Sequence, residues 1–319
     1  MRSPLKYILA FILFTAISIS TVYSCSVMFL CNDSLKIIGR NQDWNANLGN
    51  IQFHKKEISK VATFWGPAKK DKLTPEKWTS KFDNITFHSE MKQKGVSISI
   101  GGMNSEGLVI CQLYVNDDDT NNLAFEKTKT AIMSSRWVGY CLDNYKNVNE
   151  IIADITKLKV INNFHAHWFA ADESGNCAVF ETINGNLVVN YGQPLTVPAL
   201  TNTTYEISCS SLKEYQGFGG KKDVPKGHKS TERFVRGTSL LKKYNNEPPI
   251  KYMFSLMHKI RRPSNVDTPT KWSTVYDLKN KIIYYKTLND KKYKKIIFSE
   301  ADKKPNNTVL AEIKIKSSK

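Results

Sequence analysis

The sequence predicts an α+β fold in which antiparallel sheets pack against helices in layers. Three observations carry this. Short β-rich runs come in pairs joined by polar turn residues, helical stretches are few, and nothing alternates in the βαβ rhythm. Cys25 to Leu30 and Leu35 to Gly39 form a first hairpin across Asn32-Asp33-Ser34. Ser97 to Ile100 and Leu108 to Tyr114 form a second around residues 102–107. Residues 130–160 read as helical, with Ile132, Trp137, Cys141, Ile151, Ile155 and Leu158 among the apolar positions. His167 to Ala171 and Cys177 to Thr182 make a third hairpin, and Leu187 to Tyr191 extends that meander. Ser230 to Tyr244 and Tyr252 to Ile260 read as helices, after a Gly- and Lys-rich loop at 217–229. Lys271 to Asp277 and Lys281 to Thr287 close the series as a late hairpin.

The first 24 residues stand apart from this pattern. Arg2 and Lys6 make a basic start, Tyr7 to Ser20 is uncharged and apolar, and Val22 and Ser24 occupy the −3 and −1 positions before Cys25. That is a secretory signal, too short to span a bilayer, which takes about 20 apolar residues. Residues 25–319 are expected to form a single domain, exported to the periplasm or the medium, with no stable membrane anchor. The chain of 319 residues carries a formal net charge of +17, with its lysines thickening near the C-terminus. We read those lysines as a solvated face, because no nucleic-acid motif accompanies them. The six cysteines are widely spaced without a CxxC pair, which argues against a structural zinc site. They are expected to be mostly buried single thiols.

Cleavage before Cys25 would put a thiol and a free α-amine on one residue. The amine has a reference pKa of about 7.7–8.0 and the thiol about 8.5. At neutral pH the amine can therefore take the thiol's proton, so nucleophile and base arrive as one unit. Two other fates are open to Cys25: a buried strand residue if cleavage falls elsewhere, or the lipidated cysteine of an exported, non-catalytic lipoprotein. Residues 39–44 read Gly-Arg-Asn-Gln-Asp-Trp. One hairpin after Cys25, Arg40 can favour the thiolate and Asp43 can orient the amine, although a surface Arg and a turn Asp are common.

From these residues onward the chain resembles the choloylglycine hydrolase family, which includes bile salt hydrolases and penicillin V acylases. The mature Cys with Arg40-Asn41-x-Asp43 is the most specific block. Gly102-Met103-Asn104 with Gly107-Leu108, His167-Trp168 with Asp172, Gly175 and Glu181, Thr201-Asn202, and Arg233-Phe234-x-Arg236 follow in order. The resemblance implies a four-layer αββα sandwich of the N-terminal-nucleophile hydrolase type. It implies Cys25 as nucleophile, Asp43 holding the amine, Arg40 beside the thiolate, Asn202 donating to the oxyanion and Arg233 in the charged network. Tyr114 stands where bile salt hydrolases carry Asn, as in the penicillin V acylase branch, and its backbone N–H can serve the oxyanion. Thr204 and Glu232 depart from the family pattern. Trp44, Phe64 and Trp65 are either an apolar acyl pocket or ordinary packing aromatics.

The expected function is hydrolysis of a linear N-acyl amide, of penicillin V or N-acyl homoserine lactone type, with bile salt hydrolysis as the alternative. An acyl-transferring relative would use the same thioester. The expected partner is the small-molecule substrate, with no nucleic acid, no metal and no organic cofactor. Family resemblance adds a homo-oligomer, a tetramer, as an expectation.

Overall fold

The computed structural model describes residues 24–44, 48–65, 73–90, 97–115, 130–161, 165–193 and 195–315. All of the expected leader except Ser24 lies outside them. Two antiparallel sheets face each other. The first has six strands in the order β14 (Ala199–Leu200), β1 (Ser26–Cys31), β2 (Lys36–Asp43), β15 (Thr270–Asp277), β16 (Ile282–Thr287) and β17 (Lys294–Ile297). The second has eight, in the order β13 (Asn186–Tyr191), β12 (Cys177–Ile183), β11 (Ala166–Ala171), β8 (Val109–Tyr114), β7 (Ser97–Asn104), β6 (Asn84–Glu90), β3 (Leu48–His54) and β18 (Thr308–Lys314). Two small ribbons, β4 (Ser59–Val61) with β5 (Lys77–Thr79) and parallel β9 (Ala131–Met133) with β10 (Lys159–Ile161), flank the larger sheet.

The inner faces are apolar because side chains alternate along each strand. Phe29 of the first sheet meets Phe169 of the second edge-on at 6.3 Å, and Phe87 meets Tyr276 at 6.1 Å. Helices close both outer faces. α1 (Ser134–Asn144) and α2 (Val148–Asp154) cover the larger sheet, where Trp137 lies 4.7 Å from Trp168. α3 (Tyr205–Leu212), α4 (Ser230–Lys242) and α5 (Pro249–Lys259) cover the smaller one, and α6 (Phe298–Ala301) adds a final turn. The layers run helix, sheet, sheet, helix, as the αββα expectation requires.

Several expected elements shift. The first hairpin's second strand runs on to Asp43, so Arg40 and Asp43 lie within β2 and not beyond it. The stretch 130–160 is two helices bracketed by β9 and β10. The lysine-rich C-terminus is not only a solvated face: it supplies β17 and β18, each at a sheet edge.

Polar motif residues act as joints. Asn104 donates to the carbonyls of Leu142 and Tyr145 at 3.0 and 2.7 Å and accepts from the N–H groups of Glu106 and Leu108. Gly107, at φ +81°, completes that turn in a conformation that suits glycine. Asp172 accepts from the first-turn N–H of α2, Val148, at 2.9 Å. Glu181 bridges His167 at 3.0 Å and the Tyr205 N–H that opens α3. Glu232, one of the departures from the family pattern, accepts from the Lys229 N–H at 2.8 Å and so closes the start of α4.

Gly39 sets how closely α5 approaches β2. A Cβ there would stand 2.4 Å from the Met253 sulfur. Gly39→Ala is therefore expected to destabilise the protein by about 1–3 kcal/mol through overpacking. Equilibrium urea unfolding should show a lower midpoint at an unchanged m value.

Candidate active site

The register of the first hairpin builds the site. Ser26 faces Asn41 and Val27 faces Arg40, so Cys25 stands beside Gln42 at the end of the ladder. Alternation then sends Cys25, Arg40 and Gln42 toward the eight-stranded sheet and Asn41 and Asp43 toward the helices. Asn41 accordingly donates to the Met257 carbonyl of α5 at 2.8 Å. The Cys25 sulfur lies 3.7 Å from Gln42 Oε1. A cavity of about 60 Å³ opens beside it, lined by Cys25, Arg40, Trp44, Ile98, Ile100 and Tyr114 among others.

Cys25 is buried, and burial pushes its thiol up from the ordinary range. Arg40 is the largest opposing influence, helped by a hydrogen bond from the Asp43 backbone and by Arg233, while the Asp43 charge pushes upward. Arg40 is 1% exposed and gives one Nη2 hydrogen bond of 2.9 Å to the Gln112 carbonyl. Its Nε and Nη1 are buried with no partner among the described residues. A desolvated guanidinium with spare donors beside a thiol is suited to hold an anion.

On the helix side, Asn202 and Arg233 gather around the backbone of Cys25. The Cys25 N–H donates to Asn202 Oδ1 at 2.7 Å. Arg233 Nη2 donates to the same oxygen at 2.7 Å and to Ser24 Oγ at 2.5 Å. Arg233 Nη1 donates to the Cys25 carbonyl at 2.8 Å and to Ser26 Oγ. Asn202 Nδ2 donates to the Tyr114 carbonyl at 2.5 Å, and its own N–H donates to Ser230 Oγ at 2.8 Å. Two donors on Oδ1 and a carbonyl on Nδ2 leave only one orientation for that amide.

Asp43 is fully buried. Its Oδ1 accepts from Thr270 Oγ1 at 2.5 Å, while Oδ2 lies 3.7 Å from Arg233 Nη1 and has no hydrogen-bond partner among the described residues. Burial drives its carboxyl from 3.8 up to about 6, against the pull of Arg233, Thr270, Arg262 and Arg40. Burial also drives Arg233 down to about 10. Neither charge is comfortable, which is the usual state of a buried pair.

All six residues expected at the site, Cys25, Arg40, Asp43, Tyr114, Asn202 and Arg233, converge here. Trp44 lines the cavity, but Phe64 and Trp65 do not: they pack on Ala131, Met133 and Ile161. Gln42, Thr270 and Ser230 were not anticipated. Gln42 was readable from period 2, two residues beyond Arg40 on the same face, had the strand been carried to Asp43. Thr270 and Ser230 had no local signal. Among the described residues, no group of three or more His, Cys, Asp or Glu side chains could hold a metal ion.

Comparison with known proteins gives the family and the fold. The sequence profile of the choloylglycine hydrolase family, linear amide C–N hydrolases, matches residues 25–307. A penicillin V acylase of Pectobacterium atrosepticum is 22% identical over 284 residues, covering 78% of this chain and 73% of that protein. The fold is that of the penicillin V acylase from Agrobacterium tumefaciens, with a TM-score of 0.73 at 20% identity over 87% of both chains. A conjugated bile acid hydrolase variant from Clostridium perfringens superposes with a TM-score of 0.72 at 18% identity, covering 92% of this chain and 99% of that one. The profile covers most of the chain, and the chain therefore belongs to the choloylglycine hydrolase family as a linear amide C–N hydrolase.

Proposed function

We propose that the chain, exported and freed of residues 1–24, hydrolyses linear N-acyl amides of the penicillin V or N-acyl homoserine lactone type through a thioester on Cys25. The observation that carries this is the 2.7 Å bond from the Cys25 nitrogen to Asn202 Oδ1, on the helix side of β1, where Arg233 and Asp43 are also buried. In the full-length chain that nitrogen is a peptide N–H with one hydrogen. Cleavage of the Ser24–Cys25 bond makes it an amine, and as ammonium it carries three. Asn202 keeps one of them, and the unpartnered Oδ2 of Asp43 is the natural acceptor for another.

The reaction then runs in two halves. The α-amine takes the proton from Sγ, and the sulfur adds to the amide carbonyl, whose oxygen becomes an oxyanion. The Tyr114 N–H and the second hydrogen of Asn202 Nδ2 are the donors we assign to it. The resulting ammonium returns its proton to the leaving nitrogen as the C–N bond breaks, leaving a thioester. Water, deprotonated by the same amine, attacks the thioester and restores the thiol. Arg40 favours the anionic form of the sulfur during attack. The mostly apolar lining supplied by Ile98, Ile100, Leu113 and Trp44 favours a hydrophobic acyl group. Tyr114 in place of Asn argues against conjugated bile salts as the main substrate. A homo-oligomer is part of the same reading.

Mature protein recovered from export should begin at unmodified Cys25 and turn over penicillin V or an N-acyl homoserine lactone. Cys25→Ser should lose at least about 10³-fold in kcat and give no thioester adduct by intact mass. A lipidated N-terminus would refute the mechanism.

Asp43 gives a pH signature in the full-length chain. Its folded pKa of about 6 exceeds the ordinary 3.8, so the native state binds the extra proton between those values. Stability from this group is complete below pH ~4 and falls as pH rises through about 6. Urea unfolding across that window should show wild type losing stability relative to Asp43→Asn as pH increases. In the processed chain the neighbouring ammonium should move the window downward.

A further inference from the structure

A second cavity, of 510 Å³, lies on the opposite side of the larger sheet from Cys25. Strand β7 divides the two: Ile98 and Ile100 line the small cavity at Cys25, whereas Ser99 between them lines this one. Its floor is the outer face of β3, β6 and β7, its roof is α1, and the β4/β5 ribbon forms a wall.

The composition of that floor is unusual for a covered sheet face. Under the rest of α1 the sheet presents Ile110, Trp168 and Ala170, as a packed layer should. Here it presents Asn84, Thr86, His88 and Ser99, all at 6% exposure or less. Buried polar groups around a void mark a ligand site more than a core. The floor is also tied together by side-chain hydrogen bonds and carries no carboxylate or ammonium. His54 Nδ1 meets Asn307 Oδ1 at 3.0 Å, His54 Nε2 meets Thr86 Oγ1 at 2.8 Å, and Thr86 Oγ1 meets His88 Nε2 at 2.7 Å. With the Asn307 oxygen facing His54, the chain of donors leaves His88 Nδ1 a bare acceptor, and it has no partner among the described residues. Burial pushes both imidazoles down from their ordinary range.

Charge and shape narrow the occupant. The Lys60 ammonium is neutralised by Asp143, which also accepts from Trp78 Nε1 at 2.7 Å and Asn84 at 2.8 Å. Arg136 has no carboxylate partner among the described residues; its guanidinium is held 5.7 Å from the Trp65 ring centroid. Among the described residues, Arg136, which is exposed to solvent, is thus the one charge lining the site without a counter-charge. Trp78 and Tyr140, edge to face at 5.2 Å, supply two aromatic rings set nearly at right angles. An independent observation points the same way. Gly139 sits inside α1, where glycine costs about 1 kcal/mol relative to alanine, yet a Cβ there would meet nothing within 4 Å. Packing does not require this glycine, and it lines the void.

We propose that this cavity binds a small organic carboxylate with a flat apolar body, its charge at Arg136 and its body against Trp78 and Tyr140. The inference does not depend on which amide is cleaved at Cys25. The test is calorimetric titration of phenylacetate into the Cys25→Ser chain, with phenylacetamide as the uncharged control. Phenylacetate should bind, phenylacetamide should bind at least tenfold more weakly, and Arg136→Gln should weaken phenylacetate at least tenfold. Gly139→Phe, which projects a ring into the void, should weaken binding at least tenfold while leaving circular dichroism and amide turnover in the Cys25 form unchanged. No binding to the parent, or binding untouched by Arg136→Gln and Gly139→Phe, would overturn the proposal. Amide turnover is read separately, so loss of this site and loss of the hydrolase reading are distinguishable.

Discussion

The organisation of the site depends on one buried guanidinium. Arg233 is 0% exposed, and a desolvated cation must have its donors occupied or the fold loses several kcal/mol. Its contacts reach the His228 carbonyl, the Cys25 carbonyl, Ser24, Ser26 and Asn202. Meeting that demand ties the start of β1, the segment after β14 and the first turn of α4 to one point. Asp43 then lies close enough to compensate the charge without a direct bond. The residues with the most chemistry are thus also the ones that fix the relative position of three elements.

That constraint clarifies the roles the family resemblance assigned. Asp43 was expected to hold the α-amine and Asn202 to donate to the oxyanion. In the full-length chain the Cys25 nitrogen bonds to Asn202, and the Asn202 amide bonds to Tyr114. An amide nitrogen has one hydrogen to give, so it satisfies one acceptor and leaves Asp43 Oδ2 without a donor. Under the proposed function the two arrangements are two states of one nitrogen, before and after cleavage. Ser24 Oγ occupies a donor of Arg233 in the full-length chain, so the proposed cleavage would alter this hub and the Cys25 nitrogen together.

Much of this was legible in the sequence wherever both ends of a contact lay in one hairpin. Cys25 with Arg40, and His167 with Glu181, follow from turn chemistry and period 2. The β3–β6 pair was missed because Ile51, Phe53, Ile85 and Phe87 alternate with polar residues over separated stretches, with no short turn between them. β18 was hidden because its one lysine, Lys314, and the lysines flanking it read as solvent-facing charge, which suits an edge strand. α3 is only eight residues with three serines, Ser208, Ser210 and Ser211, so its local helix signal is weak. Thr270 reaches Asp43 across 227 positions of sequence, and no local pattern encodes such a contact.

The electrostatics of Cys25 also argue for where its base must come from. Burial raises the thiol, so a thiolate is not formed in advance, and Arg40 only moderates the effect. A base must therefore be adjacent. The charged groups with the largest influence on the Cys25 thiol are Arg40, Asp43 and Arg233, none of them a histidine. The buried His167 is spent on Glu181, which in turn holds the start of α3. Asp43 turns to the helix face, where its side chain is bonded to Thr270. The one nitrogen attached to the same residue as the sulfur is its own. In the full-length chain it is locked in a peptide bond, which has no basic lone pair, so the mechanism proposed above requires that bond to be cut before Asn202, Asp43 and Arg233 can serve an amine there.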